Sequence, residues 1–496
     1  MTMMSLVSTR TAATASPFEA VLCGLAPDGG LYVPASLPTW TLSQIQDLVG
    51  LPYEKAAALI LHGFFDEISQ EKMEALCAEA YASFSDERRV PVSSIEPGLF
   101  AMELYHGPTL AFKDVALQLL PLLMAYSAKA TGQKEKSLIL VATSGDTGKA
   151  ALEGFADKPD TAIVVCYPNN GVSPAQKLQM VTQKGGNVCV TAVEGNFDDC
   201  QNGVKRLMGD PDFHEMVRQN GYTITSANSI NFGRLVPQIA YYFTSYAQLL
   251  EQGAIALGEA VDFIVPTGNF GDILAGWYAK KMGLPVGTLI CASNKNNVLS
   301  RFFETGTYDC GGELYKTTSP SMDILISSNL ERLLFELTGQ NPAPIQAWME
   351  QRTAEKKFTV DEKTMEKARQ DFFAAWADDQ AASEAIGTVF HAQHVLLDPH
   401  SAVGYCAYQQ YKKTKDTKRK AVLLCTASPY KFAATVLEAL GRKAEGQEQT
   451  ARALEKATGK PVPQAILDLF SAEQRHFSCV EPKELDALVE SFLKQS

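Results

Sequence analysis

The stretch "SLILVATSGDTGKAALEGFA", residues 137–156, decides the architecture. Its first seven residues form a short apolar, β-prone run. A Gly-containing turn follows and opens a segment with helical spacing of apolar positions. The same rhythm returns in "TAIVVCYP" (161–168), "NVCVTAVEG" (187–195), "VDFIVPTGNFGDILAGWYAKK" (261–281) and "AVLLCTASPYKFAATVLEAL" (421–440). Strands alternating with helices predict an α/β fold with parallel sheets covered on both faces. Ligands of such sheets collect beyond the carboxyl ends of the strands, so the turns just quoted are where function is sought.

Outward from this core the rhythm changes. Residues 1–95 read as turns and amphipathic helices, "YEKAAALILHGFF" and "SQEKMEALCAEAYASF" among them, and predict an N-terminal helical cap domain. Residues 96–320 form the α/β core in two lobes. Residues 321–387, with "NLERLLFEL" and "EKARQDFFAAWADD", predict a helical insertion. The chain returns to the core over 388–445, and 446–496 read as C-terminal helices.

The chain has 496 residues, 46% apolar and 20% charged, and a net charge of −12 from 44 Lys plus Arg against 56 Asp plus Glu. That balance argues against nucleic acid as a partner. Ten scattered cysteines without C-x-x-C spacing read as free thiols in a reducing, cytoplasmic compartment. The first residues lack the layout of a secretory signal, with a short transit peptide left open, and no apolar run approaches the roughly 20 residues of a membrane span. "HAQHVLLDPH" (391–400) has three histidines, but neither H-E-x-x-H nor finger spacing, so no metal is expected. There is no G-x-S-x-G elbow.

Four segments carry chemistry. In "HGPTLAFKD" (106–114), Lys113 stands at a helix start before the apolar run "VALQLLPLLM". Alone it reads as a surface lysine. An apolar setting and the positive end of a helix would push its amine towards the neutral, nucleophilic form. Pro121 predicts a break in the helix that follows. In "TGNFGD" (267–272), Gly268 and Gly271 let backbone approach a ligand closely, and free N–H groups at the helix start suit an anion. "TSGDTGK" (143–149) is not a Walker loop: two residues separate Gly145 from Gly148, and Ala150 stands where a hydroxyl is needed. Its hydroxyls and N–H groups suit a carboxylate instead. In "SANSINFGR" (226–234), Asn228, Asn231 and Arg234 share a face if a helix begins near Asn228, although capping explains the first residues as well.

These segments, with "TSPSMDILISSNLERLLFEL" (318–337), "DPHSAVGY" (398–405) and an opening "STR…GLAPDGGLYVP", occur together and in order. The combination resembles the long-form threonine synthase family, from about Ser8 to about Leu440. The resemblance implies fold type II of the pyridoxal-phosphate (PLP) enzymes, tryptophan synthase β-like, with two α/β lobes around the cofactor. It implies that Lys113 holds pyridoxal phosphate through its amine and shuttles protons. Gly268, Asn269, Phe270, Gly271 and Asp272 would cradle the cofactor phosphate, and Thr426 would offer a hydroxyl to the pyridine nitrogen. Thr143, Ser144, Gly145, Asp146 and Thr147 would take the substrate carboxylate. Asn228, Asn231 and Arg234 would take the substrate phosphate, with Lys177 and Lys431 as weaker additions. Family members convert O-phospho-L-homoserine and water to L-threonine and phosphate, which implies a small-molecule substrate, no membrane, and a monomer or homodimer. Two other functions fit the same residues: a phospho-lyase giving 2-oxobutyrate, ammonia and phosphate, and a non-catalytic homologue that binds the cofactor.

Overall fold

The computed structural model describes residues 3–143, 145–169, 171–415 and 417–495. Near the N-terminus, β1 (Leu6–Ser8), β2 (Thr14–Ala15) and β3 (Tyr32–Pro34) form a small antiparallel sheet in the order β2-β1-β3. The region read as turns and amphipathic helices thus also carries three short strands. The helices Tyr53–His62 and Gln70–Tyr81 follow, where apolar spacing places them.

The core opens with an antiparallel pair, β4 (Val92–Glu96) and β5 (Leu99–Glu103). The chain then breaks into helices Lys113–Leu117 and Leu120–Thr131, with Pro121 in the first turn of the second, where its missing N–H costs nothing. It next builds one lobe from β6 (Lys136–Ala142), β7 (Thr161–Pro168), β8 (Val188–Val193) and β9 (Tyr222–Thr225). The other lobe takes β10 (Val261–Pro266) and β11 (Val286–Ser293). A peripheral hairpin of β12 (Thr307–Asp309) and β13 (Lys357–Thr359) comes next, then β14 (Phe372–Trp376) and β15 (Ala421–Cys425). β16 (Ser478–Val480) closes the list.

The larger sheet runs β14-β11-β10-β15-β5-β4 and is parallel except for β4; the smaller runs β16-β8-β7-β6-β9 and is all parallel. β10 and β15 are buried at every residue, and β7 at every residue after its first, because helices cover both faces. Two segments read as helical contribute edge strands here. β14, inside 321–387, pairs with β11, and β16, in the C-terminal segment, pairs with β8.

The N-terminal region shares the main apolar core: Phe64 and Phe65 pack their rings on Phe232, 6.3 and 6.1 Å between centroids. Among the described residues no helix is long and apolar enough to cross a membrane.

Candidate active site

Every turn singled out in the sequence leaves the carboxyl end of a parallel strand. Backbone bonds fix the Lys113 turn against the Thr426 turn. Phe112 N–H donates to the Thr426 carbonyl at 2.8 Å and Ser428 N–H to the Leu110 carbonyl at 3.0 Å, with Ala111 bridged to Ala427. This sets Lys113 beside Thr426 at the end of β15.

The Lys113 side chain is largely covered, 11% exposed, with its amine 3.5 Å from Ser321 Oγ, 3.7 Å from Asp146 Oδ2 and 4.7 Å from the Phe112 ring centroid. Burial lowers its pKa to about 8. Asp146 pulls the other way, and the charges of Lys431 and Arg234 add to the depression. Asp146 begins the helix Asp146–Phe155 and is the hub of the site. Its Oδ1 lies 2.7 Å from Lys431 Nζ and accepts from Gln176 Nε2 at 2.9 Å; its Oδ2 accepts from Ser321 Oγ at 3.1 Å. Burial alone would raise this carboxyl. The charges of Lys431 and Lys113, with hydrogen bonds from Lys431 and Gln176, instead hold it far below the usual carboxylate range. Gly145 has φ +140°, and a Cβ there would strike the Gln176 side chain at 2.3 Å, so only glycine lets Gln176 reach Asp146.

The Asp146 side chain is thus spent on two lysines and is no receptor for a carboxylate; the N–H groups at its helix start keep that capacity. Thr143 Oγ1 accepts from the N–H groups of Gly145 and Gly148, at 3.0 and 2.9 Å, and shapes this turn. Thr147 follows in the first helical turn. Ser144 lies outside the described residues.

After β10, Phe270 takes the left-handed conformation, φ +65°, and caps the helix Gly271–Met282. Asn269 O accepts from the backbone and side chain of Asn329, at 3.1 and 2.9 Å. Gly268 lies so near the Pro320–Met322 turn that a Cβ would sit 2.8 Å from Ser321 O. Asp272 Oδ1 accepts from Tyr241 and Tyr242, at 2.5 and 3.1 Å, while its buried Oδ2 has no partner among the described residues. Burial raises this carboxyl to about 6 against the two tyrosine bonds and the Lys113 charge.

The three residues of the β9 turn separate. Arg234 is buried, donates Nη1 to Ala227 O at 2.6 Å, and leaves Nε without a partner among the described residues. Burial lowers its pKa to about 10. Asn231 is a cap: it donates to Val21 O and Ser226 O, both at 2.9 Å, and accepts from Gly233 N–H at 2.8 Å. Both amide hydrogens are spent, so Asn231 has no donor left for a phosphate. Asn228 is half-buried, its N–H on Ser226 Oγ at 3.2 Å. Lys177 is exposed, and its charge acts on Cys479. Lys431, a weaker candidate in the sequence, is fully buried and joins the centre.

Three contributors were missed. Gln176 had a signal, because Ser173 and Gln176 form a capping box. Ser321 and Arg332 had none beyond their motifs. His400, which in "DPHSAVGY" reads as ordering a turn near the core, is buried and accepts the Ser321 N–H of the Pro320–Met322 turn at 3.1 Å. Arg332 is fully buried; it donates to Tyr32 O at 2.8 Å and Ile230 O at 2.6 Å, and bonds Asn329 Oδ1. It ties the N-terminal sheet, the Arg234 turn and, through Asn329, the glycine turn together. The opening motif joins the same knot: Thr9 Oγ1 donates to Glu331 at 2.7 Å and Arg10 pairs with it at 3.0 Å. A separate cleft of about 800 Å³ runs along β14, and its Arg369 and Arg419 are both engaged by carboxylates within the chain.

Residues 5–81 match the model of the threonine synthase N terminus, 88–428 that of the pyridoxal-phosphate dependent enzymes, and 401–491 that of the threonine synthase C-terminal region. The chain is 40% identical to a threonine synthase of Pseudomonas aeruginosa, covering 99% of this chain and 98% of that one. Its structure is similar to a PLP-bound threonine synthase from Brucella melitensis, with a TM-score of 0.88 and 39% identity over 99% of this chain and 100% of the other. It is equally similar to yeast threonine synthase, with a TM-score of 0.88 and 34% identity over 99% of each chain.

Proposed function

The chain belongs to the threonine synthase family of pyridoxal-phosphate-dependent enzymes, and from that premise we propose how its residues turn O-phospho-L-homoserine and water into L-threonine and phosphate. The residues present fit the cofactor. Lys113 offers a largely covered amine with its pKa near 8, Gly268 leaves a space that a Cβ would fill, and the left-handed Phe270 turns N–H groups of a helix start into a concave cradle. Lys113, the turn Gly268–Asp272 and the Thr426 hydroxyl would hold it. Bound there, pyridoxal phosphate supplies an electron sink for the carbanion character at the reacting carbons.

The protein does the rest. With its midpoint near 8, about a tenth of the Lys113 amine is neutral at pH 7, and the ammonium is a fair acid; one group can therefore take the Cα proton and return protons later. The ionised Asp146 keeps that amine from being driven further towards neutrality and anchors Lys431. Expulsion of phosphate from Cγ needs a cation, and Arg234, with its unpartnered Nε, is our choice for it. The helix start at Asp146 and Thr147 takes the substrate carboxylate. Water then adds at Cβ: its oxygen and one hydrogen become the new hydroxyl and the other hydrogen is balanced on the released phosphate, while the protons taken from Cα and Cβ are matched by protons delivered to Cα and Cγ.

The observation that carries this function is the Lys113 amine set 3.7 Å from Asp146 and 3.5 Å from Ser321, with Lys431 2.7 Å from the same carboxylate. The test is to fix the cofactor by borohydride, map the tagged peptide, and identify the products of phosphohomoserine turnover. We expect the tag on Lys113 and equal amounts of L-threonine and phosphate. A tag elsewhere removes Lys113, and 2-oxobutyrate with ammonia would make the protein a lyase of the other kind. Arg234→Met should raise KM for phosphohomoserine at least tenfold while cofactor content is kept; an unchanged KM removes Arg234 from the site.

A further inference from the structure

Ser321 touches both charged partners of the proton-transfer centre. It lies in the 3-10 turn Pro320–Met322. Its hydroxyl donates to Asp146 Oδ2 at 3.1 Å, which leaves an oxygen lone pair for the Lys113 amine, 3.5 Å away. Behind it stands a buried pair of side chains. Ser321 N–H donates to His400 Nε2 at 3.1 Å, so the ring proton sits on Nδ1 and donates to Asp398 Oδ2 at 2.6 Å. Asp398 is also the N-cap of the helix Pro399–Thr414, accepting from the N–H groups of His400 and Ser401 at 3.0 and 3.1 Å. The Phe432 ring packs edge-on against the imidazole, 5.0 Å between centroids. Capping this helix needs only the aspartate and two backbone N–H groups. The imidazole adds one thing, a fixed acceptor for the backbone of Ser321.

A neutral amine has a single lone pair and turns freely about its last carbon–nitrogen bond. With an ionised carboxylate 3.7 Å away, an unrestrained Lys113 amine would turn its N–H groups to Asp146. A hydroxyl that already donates to Asp146 Oδ2 takes one of that oxygen's lone pairs and itself accepts one N–H, so it fixes the amine's rotation and leaves the amine lone pair facing neither partner. We propose that Ser321 orients the Lys113 amine for proton transfer, and that His400, held by Asp398, is the positioning residue that keeps Ser321 in register. This rests on Lys113 being the proton-transfer group of the reaction above.

The experiment compares Ser321→Ala, His400→Leu and His400→Gln, whose amide oxygen can stand where Nε2 does. The substrate is O-phospho-L-homoserine with hydrogen or deuterium at Cα. We expect S321A and H400L to lower kcat about tenfold or more, to raise the deuterium isotope effect, and to leave KM within about twofold. H400Q should recover most of the loss. In the cofactor-free protein, hydrogen exchange of the Ser321 peptide should speed up in H400L and return towards the parent rate in H400Q. The proposal is overturned if S321A keeps the parent kcat and isotope effect, if H400Q matches H400L, or if the defect lies in KM. Should H400L not fold, S321A and H400Q still decide the matter. Borohydride mapping of the parent protein keeps the two readings apart: loss of the tag at Lys113 refutes the function, whereas a tagged Lys113 with an indifferent S321A refutes only the role of Ser321.

Discussion

Replacing Asp146 by asparagine removes one charge and keeps the outline of the side chain. The amide oxygen can still accept from Gln176 and Lys431, and the amide nitrogen can donate to Ser321 Oγ, so the variant isolates electrostatics. Two unit charges 3.7 Å apart interact by about 4 kcal/mol at an effective dielectric of about 20, or roughly three units of pKa. Asp146 raises the Lys113 value, so its loss must lower it. Relaxation of Lys431 takes part of the effect, and we expect the midpoint to fall from about 8 to about 7 or below. The assay is competitive acetylation of the cofactor-free protein across pH, with Lys113 read by peptide mass. A midpoint that stays or rises refutes the electrostatic account of the site. Lys431, fully buried, would be left without a carboxylate, a cost of about 3–5 kcal/mol. The double variant with Lys431→Met relieves that cost, and because the Lys431 charge depresses Lys113, its midpoint should recover part of the fall.

Other outcomes follow from the same geometry. The Lys113 value drops from 10.5 to about 8 on folding, so between those values the unfolded chain holds a proton that the folded one has released. Stability of the cofactor-free protein should therefore rise with pH across that window by up to about 3 kcal/mol relative to Lys113→Met, as measured by urea unfolding; a flat difference would contradict the burial of this amine. Gly268→Ala places a Cβ 2.8 Å from Ser321 O and should weaken cofactor binding at least tenfold, read by fluorescence titration, with parent-like affinity counting against the cradle. Arg332→Met strands the buried acceptors Tyr32 O and Asn329 Oδ1, at about 1–3 kcal/mol each, and the half-buried Ile230 O. Its denaturation midpoint should fall clearly, and an unchanged midpoint would show that the knot does not hold the N-terminal sheet to the core.

Much of this molecule is local, and the sequence alone determined it. Strands buried on both faces must be continuous apolar runs, so β6, β7, β10 and β15 could be read directly, and with them the ends at which ligands gather. The edge strands β14 and β16 could not, because a short strand with one neighbour has little pattern of its own and is selected by the sheet it joins. The site divides in the same way. Lys113 and the glycine turn announce themselves through their neighbours in the chain. Helical spacing grouped Asn231 with Arg234, yet the Asn231 amide hydrogens go to Val21 O and Ser226 O, whereas Arg234 Nε has no partner among the described residues. Lys177 and Lys431 look alike as residues, but one is exposed and the other lies 2.7 Å from Asp146. Tertiary structure alone decided these, because charge pairing and desolvation depend on distance through space and on exclusion of water, and neither is encoded in spacing along the chain.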